Sequence, residues 1–144
     1  MKITNDITYI GVNDRVIDLF EGQYIIPNGI AYNSYVILDE KVAVMDTVDH
    51  RKTEEFMANL ESALDGRTPD YLVVHHVEPD HASSIQAVLD KYPGIQVVAT
   101  AKALQMLPLY NTNPTNTLAV KEGDTLSLGS HTLHFYMTPM VHWP

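Results

Sequence analysis

Six consecutive residues, His76-Val77-Glu78-Pro79-Asp80-His81, place two imidazoles and two carboxylates in one short stretch. Groups of this kind crowded together suffer repulsion and desolvation unless a cation lies among them, so the stretch reads first as a metal site. His76, Glu78 and Asp80 alternate with Val77 and Pro79, and in an extended segment that spacing turns all three side chains to one side. Pro79 supports the extended reading because it disfavours the helical region for Glu78 and fixes its own φ. His81 is expected at the start of the next helix, where the chain turns and can bring a fourth donor to the same place. Imidazoles with carboxylates and no sulfur suit iron or manganese, with zinc as a substitute. Four side chains within six residues do not easily converge on a single ion. Two adjacent ions are therefore expected, one served by His76 and Glu78 and the other by Asp80 and His81. The bland alternative is a polar loop at a helix start, with Asp80 as its cap and the histidines in solvent.

The elements around this stretch follow from its apolar patterning. Residues 8–12, 24–26, 34–38 and 41–47 read as strands of an antiparallel meander, the last two joined by a polar Asp39-Glu40 turn. Phe56, Leu60 and Leu64 recur every four residues behind a candidate cap at Asp49, the stripe of an amphipathic helix that ends near Gly66. Residues 71–74 form a short apolar strand leading straight into the polar cluster. Ile85, Val88 and Leu89 mark a second helix closed by Pro93-Gly94, residues 95–99 a strand, and residues 101–110 a third helix. Strands are expected again at 117–120, 125–128 and 132–136. Interleaved strands and helices give an α/β (α+β) class.

Composition removes several function classes. With 144 residues, 45% of them hydrophobic, the chain has material for one core, and neither a repeat nor a linker divides it. Nine basic residues against 18 acidic ones leave a formal charge of -9, which repels phosphate backbones and anionic lipids, so neither nucleic acid nor a membrane is an expected partner. The sequence has no apolar run of spanning length and no apolar core behind Met1, which points to a cytoplasmic protein. Cysteine is absent, so a metal must be held by nitrogen and oxygen alone.

The stretch from His76 to His81 resembles the His-x-Glu-x-Asp-His signature of flavodiiron proteins, metallo-β-lactamase-fold relatives whose hydrolytic cousins carry His where Glu78 stands. A carboxylate there donates negative charge to an ion and favours its oxidised state, which suits a redox iron better than a hydrolytic zinc. Val141-His142-Trp143-Pro144 resembles the family's His-Trp-Pro-Asp run, with 60 residues between His81 and His142. Residues 29–35 and 44–48 match its opening strands.

The resemblance implies the N-terminal half of a metallo-β-lactamase-like αββα sandwich. Residues 1–144 would form a partial diiron domain, without the C-terminal part that supplies a bridging carboxylate and a further histidine, and without the flavodoxin-like FMN domain. His76, Glu78 and His142 resemble the ligands of one iron, Asp80 and His81 an incomplete set for the other. The implied activity of the complete enzyme is reduction of dioxygen to water or nitric oxide to nitrous oxide, with electrons from FMN and a rubredoxin-like donor. This chain alone is expected to be inactive. It is also expected to cover its inner sheet face with a second copy or a complementing chain. A zinc hydrolase and a metal-free remnant are the rival readings. Among the remaining residues, His75 is expected to pack or to support a ligand, and His50, His131 and His134 to lie on the surface or in the core. Tyr32 and Asn33 could support ligands near the metals, but a buried tyrosine with its hydroxyl satisfied by backbone is the commoner outcome.

Overall fold

Val42-Ala43-Val44-Met45, Leu72-Val73-Val74 and Val97-Val98-Ala99 are almost wholly apolar, the pattern of strands buried on both faces. The computed structural model describes residues 1–20 and 22–139 and places these runs at the centre of its main sheet. The first third of the chain is rich in strand: β1 (Ile7–Tyr9), β2 (Val12–Asp14), β3 (Leu19–Phe20), β4 (Tyr24–Ile25), β5 (Ile30–Tyr32), β6 (Tyr35–Leu38) and β7 (Val42–Met45). After it come α1 (Thr53–Leu64), β8 (Tyr71–Val73), α2 (Pro79–Ala82), α3 (Ile85–Lys91), β9 (Gln96–Thr100), α4 (Ala101–Met106), β10 (Thr117–Val120), β11 (Thr125–Ser127) and β12 (Thr132–His134). The main sheet has the order β1-β6-β7-β8-β9-β10. Its first three strands run antiparallel and β7 to β10 run parallel, so the sheet is mixed.

Alternation along the strands separates two faces. Val36, Val44, Leu72, Val97 and Ala99 join Phe56, Leu60 and Leu64 of α1 and Ile85 and Val88 of α3 in the principal core. Each fully buried side chain of this size stabilises the fold by roughly 1.5–3 kcal/mol relative to exposure. The helix ends as expected, with Asp65 and Gly66 both left-handed, at φ 48° and 84°. Its expected cap behaves differently. Asp49 accepts from the Arg51 N–H at 2.9 Å and from the Arg51 guanidinium, capping the 3-10 turn His50–Lys52 rather than α1.

Two further elements differ from expectation. The strand expected over 8–12 is split at Gly11, whose absent Cβ would lie 2.2 Å from the Tyr32 carbonyl oxygen. The chain changes partner there, β1 pairing with β6 and β2 with β5, a strand the alternation did not reveal. The helix expected over 101–110 is α-helical only to Met106 and continues as a 3-10 turn over Leu107–Tyr110, because Pro108 donates no N–H.

The second face carries Ile37, Ala43, Val73, Val98 and Val120. A hairpin of β11 and β12 covers part of it with Leu126, Leu128, Leu133 and Phe135. Asp39 at the β6–β7 turn pins this hairpin, accepting from the Ser130 N–H at 3.1 Å, the His131 N–H at 2.6 Å and His131 Nδ1 at 2.7 Å. The other nitrogen of His131 lies 2.9 Å from Asp6 Oδ2. Burial raises the Asp39 carboxyl, but the bonds from His131, Ser130 and Glu40 outweigh it and hold the group well below the usual carboxylate range. A carboxyl lowered in this way contributes stability that is complete above the ordinary carboxylate range and is lost only as pH falls through its own lower value, so the hairpin should stay docked in mild acid. Asp39→Asn is expected to accelerate amide exchange in β11 and β12 by about tenfold or more, leaving β7 and β8 unchanged, as read by hydrogen exchange at neutral pH.

The part of this face that the hairpin leaves open is a recess of about 400 Å³, lined by Ile7, Tyr35, Ile37 and Met45 and reaching Asp46, His75 and His81. Among the described residues, no helix is long and apolar enough to cross a membrane.

Candidate metal centre

The parallel register of β7 and β8 pairs Met45 with Val73, so the next residues of each strand leave the sheet side by side. The Asp46 N–H donates to the Val73 carbonyl at 2.8 Å, and Asp46 then turns into the left-handed region at φ 60°. Its carboxylate crosses to the neighbouring segment, Oδ1 accepting from the His75 N–H at 2.9 Å and Oδ2 lying 2.8 Å from His75 Nδ1. The bond to the Asp46 carboxylate outweighs the opposing effect of burial and raises the His75 imidazole above its usual pKa. Thr47 completes the grip. Its N–H and its hydroxyl both donate to the His81 carbonyl, at 3.1 and 2.7 Å.

Beyond β8 the chain runs through Val77, which is fully buried, to Glu78. Glu78 is extended, at φ -66° and ψ 143°, as a residue before proline must be. Pro79 then opens α2, so Asp80 lies in a helical turn and not in the extended alternation expected for it. Proline at the first helical position is as natural as proline in an open segment, and here the helix prevails. The result still converges. The Glu78 carbonyl accepts from the N–H groups of His81 and Ala82, folding the turn back over the segment before it.

His76 Nε2 lies 3.5 Å from Glu78 Oε2, and His81 Nε2 lies 3.6 Å from Asp80 Oδ2. The two rings stand 4.8 Å apart at 46°. One donor atom each from His76, Asp80 and His81 falls within 4.8 Å of the others, and the four side chains are only 13% to 18% exposed. Donors about 2.1 Å from a shared ion stand roughly 3.0 to 3.4 Å apart at octahedral to tetrahedral angles, so each pair is close to that spacing. Asp80 Oδ1 and His81 Nδ1 are buried and find no hydrogen-bond partner among the described residues. A buried acceptor left bare costs about 1–3 kcal/mol, more when charged, and a cation beside Asp80 would remove that penalty. The donor set fits a metal of mixed nitrogen and oxygen preference.

His142 lies outside the described residues, as does Trp143. Of the other sequence candidates, His131 belongs to the hairpin anchor, His50 is largely exposed beside Asp49, and His134 is exposed on β12. Asn33 lines the recess. Tyr32 is fully buried, but its hydroxyl has no hydrogen-bond partner among the described residues, contrary to the backbone bond expected for it. Burial first, then the nearby Asp49 carboxylate, with smaller contributions from Asp14 and Asp80, push that hydroxyl up to about 12. The residue with no role read from sequence is Asp46. A carboxylate directly after an apolar strand was its only local signal.

A mixed sheet flanked by helices, with a histidine–carboxylate cluster at the C-terminal ends of its parallel strands, defines a metallo-β-lactamase-like fold. Residues 30–144 match the family described as ODP family beta lactamase, and the chain belongs to that family. It is 37% identical over 147 residues to an anaerobic nitric oxide reductase flavorubredoxin of Aliivibrio salmonicida, a match covering 100% of this chain and 30% of the relative. Among solved structures it resembles the rubredoxin oxygen:oxidoreductase of Desulfovibrio gigas, with a TM-score of 0.92 and 32% identity over 100% of this chain and 36% of that one. It resembles the flavodiiron protein of Giardia intestinalis similarly, with a TM-score of 0.91 and 31% identity over 99% and 35%. The chain thus spans about a third of the length of the relatives it matches.

Proposed function

We propose that residues 1–144 are part of a flavodiiron oxidoreductase, in which His76, Glu78 and His142 hold one non-haem iron and Asp80 and His81 contribute to a second. The observation that carries this reading is the pairing of donors, 3.5 Å within the first pair and 3.6 Å within the second, beside a buried Asp80 oxygen with no hydrogen bond among the described residues. The relatives are named as reductases, which favours this reading over the zinc hydrolase. Glu78 in place of a neutral imidazole points the same way.

When bound, two adjacent ferrous ions would supply paired electrons and Lewis acidity toward dioxygen or nitric oxide, the two substrates proposed for the complete enzyme. The chain's own residues prepare that site. Glu78 and Asp80 concentrate negative charge where the cations belong, and buried Val74 and Val77 shield the segment from water. Asp46 and Thr47 hold the segment against the end of β7. The remaining parts of the proposal are a bridging carboxylate, a further histidine and an FMN domain in the rest of the enzyme, with rubredoxin or a similar protein as electron donor. The open recess is the surface that a second copy or a complementing chain would cover.

Anaerobic titration with ferrous iron tests the metal assignment. Binding approaching two ions per chain is expected, with Glu78→Ala and Asp80→Ala each reducing the count. Thioester hydrolysis by the zinc-loaded chain would support the hydrolase, and absence of any metal binding by the folded chain would leave a remnant.

A further inference from the structure

His81 has a carboxylate near each of its ring nitrogens. Nε2 lies 3.6 Å from Asp80 Oδ2, and Nδ1 lies 3.8 Å from Asp46 Oδ2. The two carboxylates are not equivalent. Asp80 is placed among the proposed metal donors and leaves Oδ1 without a hydrogen bond among the described residues. Asp46 is held by the His75 N–H and by His75 Nδ1, at 2.9 and 2.8 Å, and its own carbonyl accepts from the buried Ser34 hydroxyl at 2.9 Å. It is a braced carboxylate, and its Oδ2 faces the side of the His81 ring away from Asp80. Its backbone is equally constrained, since at φ 60° a residue other than glycine persists only when its surroundings hold it there. Aspartate and asparagine tolerate that region better than other side chains.

A ring nitrogen that binds a cation must be free of its proton, and the remaining nitrogen then carries the hydrogen. Histidines that ligate metals almost always point that second N–H at a carboxylate, carbonyl or water, which fixes both tautomer and ring orientation. Asp46 is placed to do this for His81. At 3.8 Å the two atoms stand beyond hydrogen-bond length, with the braced Oδ2 facing Nδ1 across the gap.

We propose that Asp46, braced by His75, is a positioning residue that keeps the His81 proton on Nδ1 and so presents Nε2 to the ion shared with Asp80. The inference rests on the metal assignment above and adds two residues to it, one of them 29 positions away from its brace. His75 then has a purpose of its own. It touches no proposed ion, and it fixes the carboxylate that fixes the ligand.

The test uses the full chain, with zinc as a diamagnetic probe. Competition against a chromophoric chelator gives affinity, and long-range ¹⁵N–¹H correlation spectra give the tautomer of His81. Asp46→Asn keeps the size and the left-handed tolerance of the residue but removes its charge. This variant is expected to melt within a few degrees of the wild type without metal, yet to weaken zinc binding by about 10- to 100-fold. His75→Ala should weaken binding by a smaller factor, because the carboxylate remains but is no longer braced. The zinc-loaded wild type should show His81 protonated at Nδ1 and bound through Nε2, a pattern lost in Asp46→Asn. Zinc affinity and His81 spectrum both unchanged in Asp46→Asn would overturn the inference and leave the metal assignment standing. So would a fall in affinity matched by collapse of the metal-free fold, since that describes a merely structural residue. A wild-type chain that binds no zinc would overturn both.

Discussion

Asp80→Asn should reverse its effect on stability according to whether metal is present. Without metal the wild-type carboxylate has one buried oxygen with no hydrogen bond among the described residues, and it lies in a segment that also carries Glu78. Removing its charge relieves that penalty, so the metal-free variant should melt no lower than the wild type and somewhat higher if the relief is complete. With metal the order inverts. A ligand that binds only the folded state at a hundredfold excess over its dissociation constant adds about 2.7 kcal/mol, and the variant should lose most of that increment at the site Asp80 serves. Thermal unfolding under anaerobic conditions, with and without ferrous iron, reads both halves of the prediction. A variant that melts well below the wild type in the absence of metal would show that Asp80 stabilises the bare fold and would remove the main reason for placing a cation beside it.

Phe56→Ala should bring the chain close to unfolding. Phe56 is fully buried, heads the stripe continued by Leu60 and Leu64, and sits where α1 meets the first face of the sheet. Truncating a buried phenylalanine costs about 3–5 kcal/mol through lost transfer energy and the cavity left behind. That is a large share of the roughly 5–15 kcal/mol by which domains are stable. Urea denaturation should show a midpoint far below that of the wild type with an unchanged slope. Glu54→Ala, two residues away on the exposed side of the same helix, is the control and should shift stability by no more than about 0.5 kcal/mol.

Local signals carried much of this architecture. The period of Phe56, Leu60 and Leu64 located α1, and the apolar runs at 42–45 and 71–74 located the central strands, because burial of one stripe or of two faces imprints itself on neighbouring residues. The donor cluster was legible for the same reason, its four groups lying within six residues. What escaped depended on distant partners. Gly11 divides a strand because the Tyr32 carbonyl passes too close for a side chain, and nothing within several residues of Gly11 announces that carbonyl. Asp49 looked like the cap of α1 until Arg51 claimed it. Asp80 was assigned to an extended segment because Pro79 reads equally well as an opener of helices. Asp46 lies 29 residues before His75, and only the register of β7 against β8 makes them neighbours. The dimer or complementing chain expected over the inner face met a partial answer within the chain, as the β11–β12 hairpin covers part of that face.

The spacing of these contacts along the chain also sets an order of assembly on the ribosome. The loop that brings Thr47 to His81 spans 34 residues, whereas the anchor joining Asp39 to His131 spans 92. Shorter loops close with less entropy lost and earlier in synthesis, so the donor cluster of residues 76–81 can gather while the hairpin is still unmade. The donors of residues 76–81 would then be assembled before the β11–β12 hairpin closes over its part of the second sheet face.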